Sequence, residues 1–80
     1  MSDTFPRDAS RGRVLSALRK LGFEVVRQGG HTALSRRNQD GTSTPMTIPR
    51  HEKLKGSTLR RICTEAGIRR EDFLDAYERS

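Results

Sequence analysis

Two adjacent glycines, Gly29 and Gly30, lie between two segments that have the composition of β-strands. Residues 23–28 (FEVVRQ) precede the pair, and residues 31–37 (HTALSRR) follow it. Aromatic and β-branched residues favour strands, and glycine tolerates the positive φ angles that tight hairpin turns require. The glycine pair therefore predicts a β-hairpin, which commits this 80-residue chain to a fold built around an antiparallel sheet.

A third strand is predicted over residues 44–48, after a turn at residues 38–41 (NQDG). Pro45 places this strand at the edge of the sheet or at its own start, because proline has no N–H group to donate to a neighbouring strand. Pro49 is expected to end it. The sequence thus predicts three antiparallel strands in succession.

A helix is predicted before the strands, over residues 10–21, because apolar residues recur there at helical spacing. Asp8 or Ser10 is the expected N-terminal cap, and Gly22 is the expected stop. The apolar residues of this segment are Val14, Leu15, Leu18 and Leu21. Its basic residues, Arg11 among them, are expected mostly on the solvent side.

Two further helices are predicted after the strands. One follows Gly56, with Ser57 or Thr58 as its cap and Gly67 at its end. Its apolar face consists of Leu59, Ile62, Cys63 and Ala66. A short helix over residues 70–77 has acidic residues near its start, and its apolar face is formed by Phe73, Leu74 and Tyr77.

These elements predict an α+β fold in which the order is helix, three antiparallel strands and helix, followed by a short C-terminal helix. At this length the chain is expected to form a single domain over residues 1–80. We expect a two-layer sandwich, with both main helices on one face of the sheet and the other face free. Residues 1–8 and the loop at residues 38–43 are expected to be flexible.

Charge indicates the class of partner. The chain has 16 Lys and Arg against 10 Asp and Glu, a net charge of +6, which favours a polyanion such as nucleic acid. No apolar stretch is long enough to span a membrane, and the first residues lack the apolar core of a signal peptide. We therefore expect a cytoplasmic protein that does not bind membranes.

The single cysteine, Cys63, has no second cysteine with which to form a disulfide, and its helical apolar pattern indicates a core residue. A role as a thiol nucleophile would require a histidine nearby in an electropositive pocket. The two histidines, His31 and His51, have no further His or Cys at a spacing typical of metal ligands. We expect neither a metal nor another cofactor.

His31 directly follows the glycine pair and begins the second predicted strand. Histidine exchanges a proton near neutral pH, so one held at the edge of a basic sheet is suited to acid–base chemistry on a phosphate. A lone histidine in a basic domain is nevertheless more often a solvated surface residue than a catalytic one. His51 follows Pro49 and Arg50 in a predicted loop, where we interpret it as a polar connector.

Basic residues are concentrated in the strands and in the loop before the second main helix, whereas the C-terminal segment is acidic. Such runs often form only a solvated surface, but their concentration around His31 favours contact with an RNA backbone. The candidate RNA-binding residues are Arg27, Arg36, Arg37, Arg50, Lys53 and Lys55.

Several segments together resemble the HicA toxin family, in matching order from about residue 14 to residue 73. They are Leu21-Gly22-Phe23, Val26-Arg27-Gln28, Gly29-Gly30-His31, Ile48-Pro49-Arg50-His51, Leu54-Lys55-Gly56-Ser57-Thr58-Leu59-Arg60-Arg61-Ile62 and Ala66-Gly67-Ile68. The family usually has serine where this chain has Gly30, and a Gly-Thr-Leu run where this chain reads Gly56-Ser57-Thr58-Leu59.

The resemblance implies the toxin of a type II toxin–antitoxin system, an mRNA interferase similar in fold to the double-stranded RNA-binding domain. His31 falls on the catalytic histidine of that family, and a HicB-like antitoxin is the implied partner. RNA carries its own nucleophile in the 2′-OH group, so a metal-independent endoribonuclease that uses His31 as general acid and base is the expected activity.

Two alternatives remain open. A module of the same fold that binds RNA or a partner protein without catalysis would use the same basic surface, and cleavage of single-stranded RNA distinguishes it from the enzyme. A DNA-binding transcription factor ranks last, because the second main helix has Arg60 and Arg61 but lacks a clear helix-turn-helix pattern.

Overall fold

The computed structural model describes residues 5–80. Within this part the chain forms, in order, β1 (Ala9–Ser10), α1 (Arg11–Lys20), β2 (Phe23–Gln28), β3 (His31–Arg37), β4 (Ser43–Pro49), β5 (Lys53–Leu54), α2 (Gly56–Ala66) and α3 (Arg70–Glu78). The predicted succession of a helix, three strands and two helices is confirmed. The fold is α+β, and its arrangement of elements is compatible with that of the double-stranded RNA-binding domain.

The main sheet has the order β2-β3-β4, and both pairs are antiparallel. The predicted hairpin is confirmed, but neither Gly29 nor Gly30 has a positive φ angle, so that part of the prediction was wrong. Gln28 pairs with Thr32, and the loop between them is closed by the Gly29 N–H, which donates to the carbonyl of His31 at 3.1 Å. The turn between β2 and β3 therefore needs no left-handed residue.

Strand β4 is an edge strand, as Pro45 predicted. It begins and ends one residue beyond the predicted limits, because Ser43 pairs with Arg37 and Pro49 pairs with His31. Pro49 is therefore the last residue of the strand rather than the residue that stops it. Its missing N–H group is tolerated because one side of β4 has no neighbouring strand.

A second, two-stranded sheet was not predicted. Ala9 pairs with Leu54, and Ser10 pairs with Lys53. Strands of two residues are too short to show a periodic pattern, so no sequence signal indicates this pairing. The backbone N–H of Arg11 extends the link by donating to the carbonyl of Glu52 at 2.9 Å. The start of α1 is thus joined to the segment that leads into α2.

The core lies between the helices and one face of the main sheet. Side chains alternate between the two faces of a strand, and those directed toward the helices are buried. The buried apolar residues are Ala9, Val14, Ala17, Leu18, Phe23, Leu34, Met46, Ile48, Leu54, Leu59, Ile62, Cys63, Ala66, Phe73 and Ala76. On the opposite face, Glu24, Pro45 and Thr47 are exposed. The predicted two-layer arrangement is confirmed, with the helices on one face only.

The predicted helix caps were partly wrong. Ser10 is the N-cap of α1, but its hydroxyl makes no capping hydrogen bond. Helix α2 begins at Gly56, and its N-cap is Lys55 rather than Ser57 or Thr58. Lys55 keeps the extended backbone of β5, with φ −77° and ψ 156°, so the chain enters the helix earlier than the side-chain pattern indicated.

Both predicted helix stops are confirmed. Gly67 is the C-cap of α2 with φ 67°, in the left-handed region that glycine adopts without strain. Gly22 follows the last residues of α1 with φ 99°. No helix among residues 5–80 is long and apolar enough to cross a membrane.

Part of the N-terminal segment expected to be flexible has contacts with the core. Phe5 packs edge-on against Phe73, with the ring centroids 6.0 Å apart. The backbone at Phe5 and Pro6 passes close to Gly56, where an added Cβ atom would come within 3.4 Å of the Pro6 carbonyl oxygen. Residues 1–4 lie outside the described part of the chain.

Candidate functional site

His31 is the first residue of β3, and its imidazole lies on the face of the sheet that the helices do not cover. The following residue, Thr32, is fully buried on the helix side, so strand alternation directs His31 the other way. The His31 side chain is exposed and makes no hydrogen bond to residues 5–80. The imidazole is therefore accessible to a ligand that approaches this face.

The glycine pair leaves open space beside His31. A Cβ atom added at Gly29 or at Gly30 would meet no atom within 4 Å. A serine at position 30, the residue usual in the family that the sequence resembles, would therefore fit without a clash. Because both positions lack side chains here, a ligand can approach the backbone of the turn closely.

Arg50 is held at the same turn. Its Nη1 atom donates a hydrogen bond of 3.0 Å to the carbonyl of Gly29. Arg50 follows Pro49, the residue that pairs with His31 across the sheet. Residues directly opposite one another in an antiparallel sheet have Cβ atoms roughly 4.5–5.5 Å apart. The structure therefore brings the Arg50 guanidinium to the turn that bears His31.

Arg27 lies on the other neighbouring strand. It pairs with Ala33, two residues after His31 and on the same face of β3. The register shifts between Val25 and Arg27, where β2 contains a bulge. Such a bulge inserts one extra residue and changes the direction of the side chains that follow. Without the bulge, the Arg27 side chain would lie on the opposite face of the sheet.

Two of the predicted RNA-binding arginines lie away from His31. Arg37 is at the far end of β3, roughly 20 Å along the strand at the usual rise per residue. Arg36 lies on the helix side, with its guanidinium 5.0 Å from the centre of the Phe23 ring. Its Nη2 atom donates to the carbonyl of Ala66 at 3.0 Å. The cation of Arg36 is thus engaged inside the fold, at the end of α2.

Lys53 and Lys55 line a groove next to the His31 strand. We call it the basic groove, and its lining residues are Pro49, His51, Lys53, Leu54, Lys55 and Thr58. Leu54 is buried, whereas Lys53 before it and Lys55 after it are exposed; because Lys55 also has an extended backbone, alternation along the chain directs both lysines outward. His51, which the sequence indicated only as a connector, is part of this groove.

Arg11 does not lie on the solvent side of α1, where the helical pattern placed it. It was expected in solvent, but its guanidinium is half-buried and donates a hydrogen bond to the hydroxyl of Thr32. Its backbone is joined to Glu52. Arg11 therefore links the strand residue after His31 with the loop that leads into the basic groove, and no local sequence pattern indicates such a link.

Cys63 is buried on α2, as predicted. Burial disfavours the thiolate and raises the pKa of Cys63 to about 11. We therefore expect Cys63 in the folded protein to react with a thiol reagent such as Ellman's reagent at pH 8 at least ~10-fold more slowly than in the denatured chain. Equal rates in the two states would contradict this burial. Among residues 5–80, no three His, Cys, Asp or Glu side chains are grouped so that they could hold a metal ion.

Comparison with known proteins adds the family. None of the curated proteins with which the chain was compared matches it. A family model described as the HicA toxin of bacterial toxin–antitoxin systems matches residues 12–68, which is more than half of the chain. This range contains β2, β3, β4, α2 and the basic groove. The chain therefore belongs to the HicA toxin family of bacterial toxin–antitoxin systems.

Proposed function

We propose that this protein is a metal-independent endoribonuclease that cleaves messenger RNA in the cytoplasm, with His31 as its general acid and base. The observation that carries this proposal is the pairing of an exposed, unengaged imidazole at the start of β3 with the Arg50 guanidinium anchored on the adjacent turn. Membership of the HicA toxin family supports the same function.

The chemistry uses the nucleophile that RNA itself provides. Neutral His31 accepts the proton of a ribose 2′-OH as the 2′-oxygen forms a bond to the adjacent phosphorus. The bond from phosphorus to the 5′-oxygen then breaks, and the proton is delivered to that leaving oxygen. The products are one end with a 2′,3′-cyclic phosphate and one end with a 5′-hydroxyl.

Arg50 is suited to stabilise the phosphorane. Negative charge develops on the non-bridging oxygens during the reaction, and a guanidinium can donate two parallel hydrogen bonds to such oxygens. Its bond to the Gly29 carbonyl uses Nη1 and leaves Nη2 for the substrate. Arg27, on the same sheet face, is positioned to hold the RNA backbone.

The same face is the proposed docking surface for an acidic, HicB-like antitoxin. The net charge of +6 favours a partner of opposite charge, and the sheet face that the helices do not cover is accessible to it. An antitoxin seated on this face would cover His31 and exclude RNA. Inhibition then needs no change in the fold of the toxin.

The test is cleavage of a DNA oligonucleotide that contains one ribonucleotide, in the presence of a metal chelator. We expect a single cut on the 3′ side of the ribonucleotide, with a cyclic phosphate detected by mass spectrometry. The all-DNA oligonucleotide, which lacks the 2′-OH, must remain intact. Binding of RNA without any cleavage would reject the enzyme and favour the alternative of a non-catalytic RNA-binding module.

Arg50→Gln is expected to slow cleavage ~10–100-fold while the protein remains folded. Arg50 is exposed, so its replacement leaves the core unchanged. The measurement is the single-turnover cleavage rate at saturating protein. Arg37→Gln, at the far end of the same strand, is the matched control and should retain a rate within a factor of ~2. Similar losses in both variants would show that only overall charge matters.

A further inference from the structure

The basic groove has no role in the proton transfer proposed above, although it opens beside His31. Pro49 lines the groove and also pairs directly with His31 in the sheet. The groove and His31 are therefore linked through a directly paired residue, which places both within reach of one RNA strand. We propose that the basic groove is a second phosphate subsite, which binds a phosphodiester neighbouring the one that is cleaved.

Three side chains in the groove are available to bind an anion. Lys53 and Lys55 each provide an ammonium group, and His51 provides a ring N–H. None of the three makes an ion pair or a side-chain hydrogen bond to residues 5–80. None of the six lining residues is acidic. The charge of this groove is thus left without a partner in the described part of the chain.

Three cations on or next to the helices differ from those of the basic groove. Three exposed arginines pair with acids on their own helix or at its start: Arg61 with Glu65, Arg69 with Asp72 and Arg79 with Asp75. Those guanidinium groups are balanced within the fold. The two groove lysines thus differ from these three arginines in having no acidic partner among residues 5–80.

The fold also holds this groove in a fixed position. Lys53 is paired with Ser10 in the small sheet, and Leu54 is anchored in the core. The carbonyl of Glu52 accepts a hydrogen bond from the backbone N–H of Arg11. The side chain of Arg11 in turn donates to the hydroxyl of Thr32, which lies on the helix side of β3 next to His31. These two hydrogen bonds connect the segment that bears the groove with the strand that bears His31. Such a connection suits a site that must keep a set distance between two phosphates.

The inferred subsite rests on the proposed function for its substrate, but its test does not depend on cleavage. The probe is a single-stranded RNA hexamer with 2′-O-methyl groups, which cannot be cut. Its affinity is measured by fluorescence anisotropy over a range of salt concentrations for the wild type and for Lys53→Gln/Lys55→Gln. The charge-matched control is Arg19→Gln/Lys20→Gln, at the other end of α1, roughly 14 Å along the helix from Arg11.

We expect the groove variant to bind the hexamer ~10-fold more weakly, with a salt slope reduced by ~0.7, the value for one phosphate contact on a single strand. The control variant is expected to stay within a factor of ~3, since it loses the same charge away from the groove. Equal losses in the two variants, or an unchanged salt slope in the groove variant, would overturn the subsite. Loss of antitoxin binding with unchanged RNA affinity would overturn it too, and would assign the groove to the protein partner.

His51→Ala separates binding from catalysis. A phosphate ligand at His51 predicts hexamer binding reduced by a factor of ~3. The cleavage rate on a ribodinucleotide, which has only the scissile phosphate, is the measurement that distinguishes the two roles of His51. A loss of ~100-fold or more on the dinucleotide would instead make His51 a second proton-transfer group and overturn its place in the subsite. If the wild type binds RNA without cutting it, the proposed enzyme fails, while the hexamer result still decides on the subsite.

Discussion

His31→Ala is expected to reduce RNA cleavage by at least ~100-fold, and by up to ~10,000-fold, because it removes the proposed general acid and base. The fold should be unchanged, since the side chain is exposed and makes no hydrogen bond to the described residues. The measurement is the single-turnover cleavage rate, with circular dichroism and thermal melting to verify that both proteins are folded.

Thr47→Ala is the matched control for this variant. Thr47 is exposed on the same sheet face and pairs with Ala33, so its replacement perturbs the surface without touching His31. The control should cleave RNA at the rate of the wild type. Full activity in purified His31→Ala, free of contaminating nuclease, would refute the role of His31.

The same pair of proteins gives a clear outcome in cells. Induced expression of the wild type should arrest growth and degrade messenger RNA, whereas equal amounts of folded His31→Ala should do neither. If both chains are harmless at equal soluble levels, the toxin in this form is inactive. Gly30→Ser then becomes informative, because the open space at Gly30 accommodates the serine that is usual in the family.

Phe73→Ala is expected to destabilise the protein by ~3–5 kcal/mol, a large part of the ~5–15 kcal/mol available to a domain of this kind. Phe73 is fully buried on α3. It packs against Phe5, and its ring stacks on Tyr77 with centroids 6.1 Å apart. Truncation would leave a cavity that the surrounding helices can close only in part.

This prediction concerns a helix outside the residues that match the family model, which end at residue 68. Helix α3 is nevertheless joined to α1, because Arg13 donates to the carbonyl of Tyr77 at 3.0 Å and lies over its ring. Since α1 also carries Arg11 at the proposed site, loss of α3 should affect both stability and activity. The measurement is the free energy of unfolding by urea titration.

Glu78→Ala provides the comparison on the same helix. It is exposed, and its replacement should change the free energy of unfolding by less than ~0.5 kcal/mol. For Phe73→Ala the midpoint of thermal unfolding should fall by at least ~12 °C, at ~4 °C per kcal/mol for a chain of this size. A midpoint within a few degrees of the wild type would show that α3 does not unfold together with the core.

Much of the fold was predictable because the signals are local. Helical spacing in residues 10–21 and after Gly56 gave α1 and α2, and the segments around the glycine pair gave β2 and β3. Pro45 correctly indicated an edge strand. The details that failed depend on geometry that no short pattern encodes. The hairpin uses no positive φ angle at its glycines, and Lys55 rather than a hydroxyl residue precedes α2.

The candidate site was only partly predictable. His31 was identified by its place after the glycine pair and by resemblance to a family, and Arg27 and Arg50 were among the expected cations. The position of Arg36 could not be predicted, because the face on which its side chain lies depends on the sheet register. On that face it contacts the Phe23 ring and the end of α2. The contact of Arg11 could not be predicted either, because its partner, Thr32, is 21 residues away in the chain.

The order of residues was therefore enough to specify the helices and strands, the family resemblance and the candidate histidine, since each depends on neighbours within a few positions. Which cations stand beside His31 was decided by tertiary structure. Strand pairing sets Pro49 against His31, the small sheet fixes Lys53, and a bulge sets the face of Arg27. These arrangements result from hydrogen bonding and packing between segments far apart in the chain, so no local sequence pattern encodes them.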